Sequence, residues 1–421
     1  MQVSNYTLAI TAVVLIFICL SPSYSQSAAR DVSSLQVQTD SVRRLSAGIN
    51  DFGFRLTKEL YSAPPRENVF ISPLSVHLAL GMTFMGAEAE TETEMAEVLG
   101  LQGLRKQEVA ALAAKLMERL KKNTDVDVSV ANSIWSRKGF QFKKDFLKTG
   151  EKFFEAEIAE LDFSSPEALE TINNWISENT NGKIEKIVKK LSPLDVMVLL
   201  NAIYFEGPWK DQFKEENTTV QRFHLGDGSE KFLPMMSRSG RFYFLGREKF
   251  KLIRIPYGNN EPVAAYVVLP EEKLELGELI DNLDRKKWED WVSSLERAEG
   301  HLVLPKFELR FESKLNDPLK DLGMELPFDR VKADLTGIID LLTRNAYISS
   351  VRHKTFLEVT ERGTEAAAAT SVKISLTGLG PTQDDFEMIV DRPFLFAIRH
   401  EETGALLFLG GIRNPQKSSK Y

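Results

Sequence analysis

The side chains able to do chemistry are few in this chain, and their spacing points away from catalysis. The five histidines, His77, His224, His301, His353 and His400, are scattered without metal-ligand spacing. His400-Glu401-Glu402 lacks the second histidine of a zinc-protease helix. No G-x-S-x-G elbow, phosphate-binding Gly-rich loop or dinucleotide fingerprint occurs. Acid pairs such as Glu271-Glu272 and Asp384-Asp385 lie in charged stretches, as solvated faces do. The only cysteine, Cys19, sits in an N-terminal apolar run, which argues against a thiol enzyme or a thiolate metal site. The expectation is therefore no enzyme, no metal and no cofactor. His353 precedes a strand-like run and has Ser349 and Ser350 close by. It reads either as a buried polar switch or as a satisfied core histidine.

A stronger pattern lies at 361–380. Gly363 to Ala369 holds one Gly and four consecutive Ala, so almost no side-chain volume. Ser371 to Thr377 then alternates, with Val372, Ile374 and Leu376 on one side and Ser371, Lys373, Ser375 and Thr377 on the other. Period-two alternation marks a half-buried strand. Thr364, Ala366, Ala368 and Thr370 share the Val372 side. A segment small at first and branched later could slide between two existing strands. The other reading is a fixed edge strand after a loop.

The elements that would position such a segment span most of the chain. Of 421 residues, 43% are apolar and 27% charged, an ordinary globular balance. The formal net charge of −7 makes nucleic acid a poor partner. Leu8 to Leu20 is apolar with one Thr, too short to span a bilayer and suited to a signal-peptide core, with Ser23 and Ser25 before a cleavage point at Gln26. Residues 1–25 are thus expected to leave, which predicts a secreted, extracellular chain with no membrane span and no thiol. Asn217-Thr218-Thr219 is a glycosylation sequon in a polar stretch.

Residues 26–41 read as a flexible polar segment, and 42–415 as one large mixed α+β domain before a tail at 416–421. Helices are expected from Ile49 to Leu60, from Pro73 under a Ser72 cap to about Gly86, from a Thr91–Glu94 capping box to Gly100, over roughly 105–122, and from Ser165-Pro166 to Asn181-Gly182. One further helix carries Leu279, Leu283, Trp288 and Trp291. Strands are expected at 126–136, at Val196 to Phe205 buried on both faces, and at Leu302 to Phe311. Asn201 interrupts that buried strand and needs hydrogen-bond partners. Glu387 to Arg399 and Ala405 to Gly410 are expected as a hairpin.

Taken in order, several of these stretches resemble the serpin family. Glu361-Arg362-Gly363-Thr364-Glu365-Ala366-Ala367-Ala368-Ala369-Thr370 is similar to the hinge of an inhibitory serpin. Asn201 to Trp209 resembles the motif around the third strand of its main sheet, and Asn68 to Ser75 the start of its second helix. Val390 to Phe396, and Phe408-Leu409-Gly410-Gly411 with Asn414-Pro415, resemble its C-terminal signature. The resemblance covers about 42–415. It implies a serpin fold of three β-sheets and eight or nine helices, with an exposed reactive-centre loop at about 361–385. It also implies an inhibitor that is cleaved in that loop, forms an acyl-enzyme with its protease and inserts the hinge into the main sheet. The catalytic nucleophile then belongs to the target, and the covalent complex is the principal partnership of an otherwise monomeric protein.

The same resemblance assigns positions. Ser72, Ser75, Asn201 and His353 match the shutter where the strands part, and Trp209 and Gly207 match the breach where insertion starts. Counting on from Glu361 by the family's spacing puts the scissile bond at Thr377–Gly378, with Leu376–Thr377 and Leu379–Gly380 as alternatives. No Arg or Lys occurs from Ile374 to Glu387, which disfavours trypsin-like targets. Thr377 suits elastase-like pockets and Leu376 chymotrypsin-like ones; Leu376 before Thr377 also suits papain-like cysteine proteases. A non-inhibitory carrier, chaperone or storage serpin is the competing class. Lys115, Arg119 and Lys122 fall on the helix that binds heparin in some relatives, and read either as a glycosaminoglycan contact or as a solvated face.

Overall fold

In the computed structural model, residues 22–64, 67–122, 125–339, 346–364 and 385–417 are described. The chain divides into Met1–Ser41 and a larger body, Val42–Tyr421. The elements of the chain, in order, are α1 (Pro22–Ser62), β1 (Val69–Ile71), α2 (Pro73–Phe84), α3 (Ala89–Leu99), α4 (Lys106–Lys121), β2 (Asp127–Arg137), α5 (Lys144–Thr149), β3 (Glu157–Leu161), α6 (Pro166–Asn179) and β4 (Met197–Pro208). Then come β5 (Thr219–His224), β6 (Glu230–Gly246), β7 (Phe250–Tyr257), β8 (Val263–Pro270), α7 (Leu276–Asn282), α8 (Arg285–Ser293), β9 (Glu296–Pro305), β10 (Phe307–Lys314) and α9 (Asn316–Asp321). The chain closes with β11 (Ile348–Val359), β12 (Gly363–Thr364), β13 (Phe386–Ile389), β14 (Phe394–His400) and β15 (Leu406–Ile412). Among the described residues this makes nine α-helices, within the expected eight or nine.

The strands form one six-stranded sheet and one nine-stranded ladder. The ladder is two sheets sharing the long strand β6. Tyr243 to Gly246 of β6 pairs with β7, whereas Glu230 to Met235 pairs with β5 and Met235 to Phe244 with β9. The fold thus has the three sheets expected of it.

The six-stranded sheet runs β10-β11-β12-β4-β2-β3, with β11 also bonded directly to β4. β4 is apolar from Met197 to Leu200 and Ala202 to Phe205 because both its faces are covered. On one face lies α2, buried along its whole length, which explains why it is apolar all round. Pro73 opens that helix, and the Ser72 hydroxyl accepts from Ser75 N–H at 3.1 Å as its cap. On the other face Ile172 and Ile176 of α6, with Ile184, Ile187 and Val188 behind it, pack on Val198, Leu200, Ala202 and Phe356.

Residues 26–41 fall within α1. Four expectations need correction. Thr91 and Glu94 are not a capping box, since α3 starts after Glu88. Thr91 is buried and accepts from Asp334 N–H, and Glu94 accepts from the N–H groups of Glu325 and Leu326. The 279–291 helix is two helices, because Asp284 leaves the helical path and caps α8 through Lys287 N–H. The 302–311 strand breaks at Pro305, and its halves enter different sheets. Phe386–Ile389 is no part of a hairpin; it pairs in parallel with β9, and only β14 and β15 form one.

Candidate functional site

The site is the seam between β4 and β11. These strands are parallel and directly paired from Ile348↔Met197 to Thr355↔Ile203. Beyond that point they diverge, and β12 sits between them. Thr364 pairs with Val359 on one side and Gly207 on the other, and Gly363 pairs with Pro208. Both new contacts are antiparallel. A single short strand has therefore entered the top of a seam that is closed below.

The closed part is locked by a buried polar row. Asn132, Asn201 and His353 are neighbours across β2, β4 and β11, at one level of the sheet. His353 Nδ1 lies 2.6 Å from Asn201 Oδ1, and Ser72 N–H donates to His353 Nε2 at 3.0 Å. Because Nε2 accepts, the ring proton resides on Nδ1 and the ring is neutral. Burial pushes the His353 pKa down to about 3, which keeps it so. Asn201 Nδ2 donates to Ser75 Oγ and to Asn132 Oδ1. Thr355 Oγ1, two residues on from His353, donates to Phe70 O at 2.7 Å. Ser72, Ser75, Asn201 and His353 thus meet at one point, at the start of α2. Asn132 and Thr355 join them without having been singled out in the sequence. Asn132 carried a signal in retrospect, as the one amide side chain in the buried run from Ala131 to Ser136.

The open end is built around Trp209. Its ring stacks on Tyr257, with centroids 4.2 Å apart and planes 17° apart. Trp209 Nε1 donates to Thr360 O and its backbone N–H to Arg362 O, both at 2.9 Å. The Tyr257 hydroxyl lies 2.6 Å from Thr364 Oγ1, so the first inserted side chain is received by a hydrogen bond. Burial raises the Tyr257 pKa, and the phenol remains a neutral partner. Gly363 has a positive φ of 149, and a Cβ there would lie 2.1 Å from Gly207 O. No other residue fits that close approach.

Glu361 precedes this contact and is held on three sides. Lys306 Nζ lies 3.0 Å from Glu361 Oε2, Thr218 Oγ1 donates to Glu361 Oε1 at 2.8 Å, and Phe213 N–H donates to Glu361 O at 2.9 Å. Burial alone would raise the carboxyl pKa. Its backbone hydrogen bond, Lys306 and Thr218 outweigh that and hold it below the usual range. The next residue, Arg362, pairs with Glu215 at 3.2 Å. Asn217, in the same turn, is exposed.

The remaining sites are dispersed. Lys115, Arg119 and Lys122 do lie on α4 or at its end, but Arg119 pairs with Glu402 at 3.2 Å and Lys122 with Glu118 at 3.2 Å. The other histidines serve separate neighbours: His77 bonds Leu99 O, His400 lies by Thr403, His301 by Ser239 and His224 by Glu230. Among the described residues, no group of three His, Cys, Asp or Glu side chains is placed to hold a metal. No described helix is long and apolar enough to cross a membrane. The hinge positions Glu365, Ala366, Ala367, Ala368, Ala369 and Thr370, and Leu376, Thr377, Gly378 and Leu379, lie outside the described residues. So does the leader up to residue 21.

Residues 47–415 match the family described as Serpin (serine protease inhibitor). The chain is 33% identical to human Serpin B11, over 88% of this chain and 99% of the relative. It is 32% identical to rat Leukocyte elastase inhibitor A, over 89% and 100%. Among solved structures, native Tengpin, a thermophilic serpin, matches with TM-score 0.81 and 32% identity, over 88% of this chain and 94% of that one. Native protease nexin-1 with heparin matches with TM-score 0.78 and 28% identity, over 89% and 100%.

Proposed function

This chain belongs to the serpin family of protease inhibitors, and from that premise we propose that it is a secreted, monomeric suicide inhibitor whose cleaved loop inserts along the β4–β11 seam. The supporting observation is the register of β12. Thr364 faces Gly207 and Val359 at once. Each further loop residue steps one residue back along both strands. Thr370 is six residues on from Thr364, and Asn201 and His353 are six residues back from Gly207 and Val359. Those two already face one another. The loop can enter without a register slip, and Thr370 arrives between the two locking side chains. Thr364, Ala366, Ala368, Thr370, Val372, Ile374 and Leu376 then point inward, none of them charged.

The energetics favour insertion. One parallel interface is replaced by two antiparallel ones, and antiparallel pairing is somewhat more stable per residue. About a dozen residues gain ladder bonds, at about 1 kcal/mol net each, so the drive is on the order of 10 kcal/mol. The lock at Asn201 and His353 makes the uninserted state kinetic rather than lowest in free energy.

The chemistry belongs to the target. Its serine Oγ attacks the Thr377 carbonyl, the Thr377–Gly378 bond breaks, and Gly378 leaves as an amine carrying the proton. The ester that remains tethers the protease while the loop inserts and distorts its active site. A small Thr377 favours an elastase-like enzyme and Leu376 a chymotrypsin-like one. The elastase reading is supported by the name of the rat relative. Asn217, exposed beside the hinge, is proposed as glycosylated. Lys115, Arg119 and Lys122 are proposed as a glycosaminoglycan surface, supported by nexin-1 with heparin. Incubation with pancreatic elastase or chymotrypsin should yield a covalent complex on a denaturing gel. Its released C-terminal fragment should begin at Gly378 by mass spectrometry. Cleaved chain without complex, across serine and cysteine proteases, would instead support a carrier role.

A further inference from the structure

The outer face of the six-stranded sheet holds a cleft that insertion does not use. It lies where the segment after α6 crosses β10 and β11. Ile184, Ile187 and Val188 seat that segment on β4 and on Phe356 of β11. Beside them Gly182, Lys183, Glu185, Lys186, Arg310 and Lys354 line a cavity of about 370 Å³. Four of these six residues are cations and one is an acid, in a chain whose formal net charge is −7.

The cations are held in place. The Phe356 ring, 4% exposed, carries the Arg310 guanidinium 4.5 Å from its centroid and the Lys183 ammonium at 5.3 Å. Lys354 Nζ donates to Lys186 O at 2.7 Å and to Glu312 at 3.2 Å, tying segment to strand. Arg310 Nε donates to Glu308 at 2.6 Å, which fixes the guanidinium plane. The Lys186 ammonium has no ion pair among the described residues. A planar guanidinium flanked by ammonium groups suits tetrahedral oxyanions. The volume falls at the lower end of small-ligand sites, roughly 300–1,000 Å³.

We propose that this cleft is an anion site for a compact ligand bearing two or more phosphate or sulfate groups. Such a ligand joins Lys183 and Lys186 of the crossing segment to Arg310 and Lys354 of the sheet. The segment covers β4 and β11 on either side of the seam, so a bound anion restrains strand separation and slows loop insertion. That consequence rests on the inhibitor reading; the binding itself does not.

The test is calorimetric titration of the full chain at physiological salt, with sodium tripolyphosphate and with sucrose octasulfate as probes. Saturable binding of at least one is expected, and the tighter probe tells phosphate from sulfate. The double substitution Lys186→Glu with Arg310→Glu should weaken it at least tenfold, and Lys186→Gln with Arg310→Gln by less. Both side chains are exposed, and a circular dichroism melt verifies the fold. Lys286→Glu with Lys287→Glu, both exposed on α8, should bind as the unaltered chain does. An Ala368→Arg chain should also bind normally, which separates this site from the insertion mechanism. No saturable binding of either probe, or binding lost only in the α8 variant, would overturn the proposal.

Discussion

His353 Nδ1 sits 2.6 Å from Asn201 Oδ1, across the seam of the six-stranded sheet where β4 and β11 pair directly. Their hydrogen bond holds shut a seam that β12 has already entered at its other end.

Removing the lock should loosen the native state. Asn201→Ala strips partners from His353, Ser75 and Asn132 together, and each buried polar group left unpaired costs about 1–3 kcal/mol. The thermal midpoint should fall by several degrees, and inhibitory activity should decay faster on mild heating. An unchanged midpoint and decay rate would show that the seam is held elsewhere.

Acid should weaken the fold through the same histidine. Burial depresses His353 to about 3 from an ordinary 6.5, and His77 and His400 to about 4. Between those folded values and 6.5 the unfolded chain binds more protons, so stability is present above 6.5 and declines as pH falls through that window. Each histidine contributes a slope approaching about 1.4 kcal/mol per pH unit. Denaturant midpoints at pH 7, 6 and 5 should therefore drop, and His353→Gln should flatten the slope by about one proton. An identical slope in that variant would contradict a neutral, buried His353.

Gly363→Ala should expel β12. The added Cβ would lie 2.1 Å from Gly207 O, on backbone at a φ of 149 that L-residues rarely adopt. The bond between Tyr257 and Thr364 would break with it. Limited proteolysis should cut the loop several-fold faster than in the unaltered chain. Equal cleavage would mean that β12 does not restrain the loop.

Much of this seam could be read from the chain and much could not. Ser72 capping Pro73, the apolar run of β4 and the small residues after Gly363 are local patterns, and period and volume reveal them. The polar lock was only half legible. Asn201 stood out inside a buried strand, whereas His353 allowed two readings on spacing alone and only the family resemblance placed it at the shutter. Tyr257, Lys306 and Thr218 were not seen, because each meets the hinge only after strands far apart in sequence come together. The pairing of Arg119 in the basic stripe of α4 with Glu402 was hidden for the same reason.

Ala368→Arg should separate cleavage from inhibition. If the loop inserts on the register of Thr364, residue 368 comes to lie beside Ile203 and Thr355, both buried. An unpaired guanidinium there costs several kcal/mol, so insertion stalls while loop cutting continues. The variant should behave as a substrate, with the covalent band on a denaturing gel reduced at least tenfold. Full inhibition would contradict insertion along this seam.

The most direct measurement is a crystal structure of the loop-cleaved protein. The account predicts a new antiparallel strand between β4 and β11, with Thr370 opposite both Asn201 and His353 and the contact between those two side chains broken. A cleaved chain in which His353 still bonds Asn201 and β4 still pairs directly with β11 would contradict it.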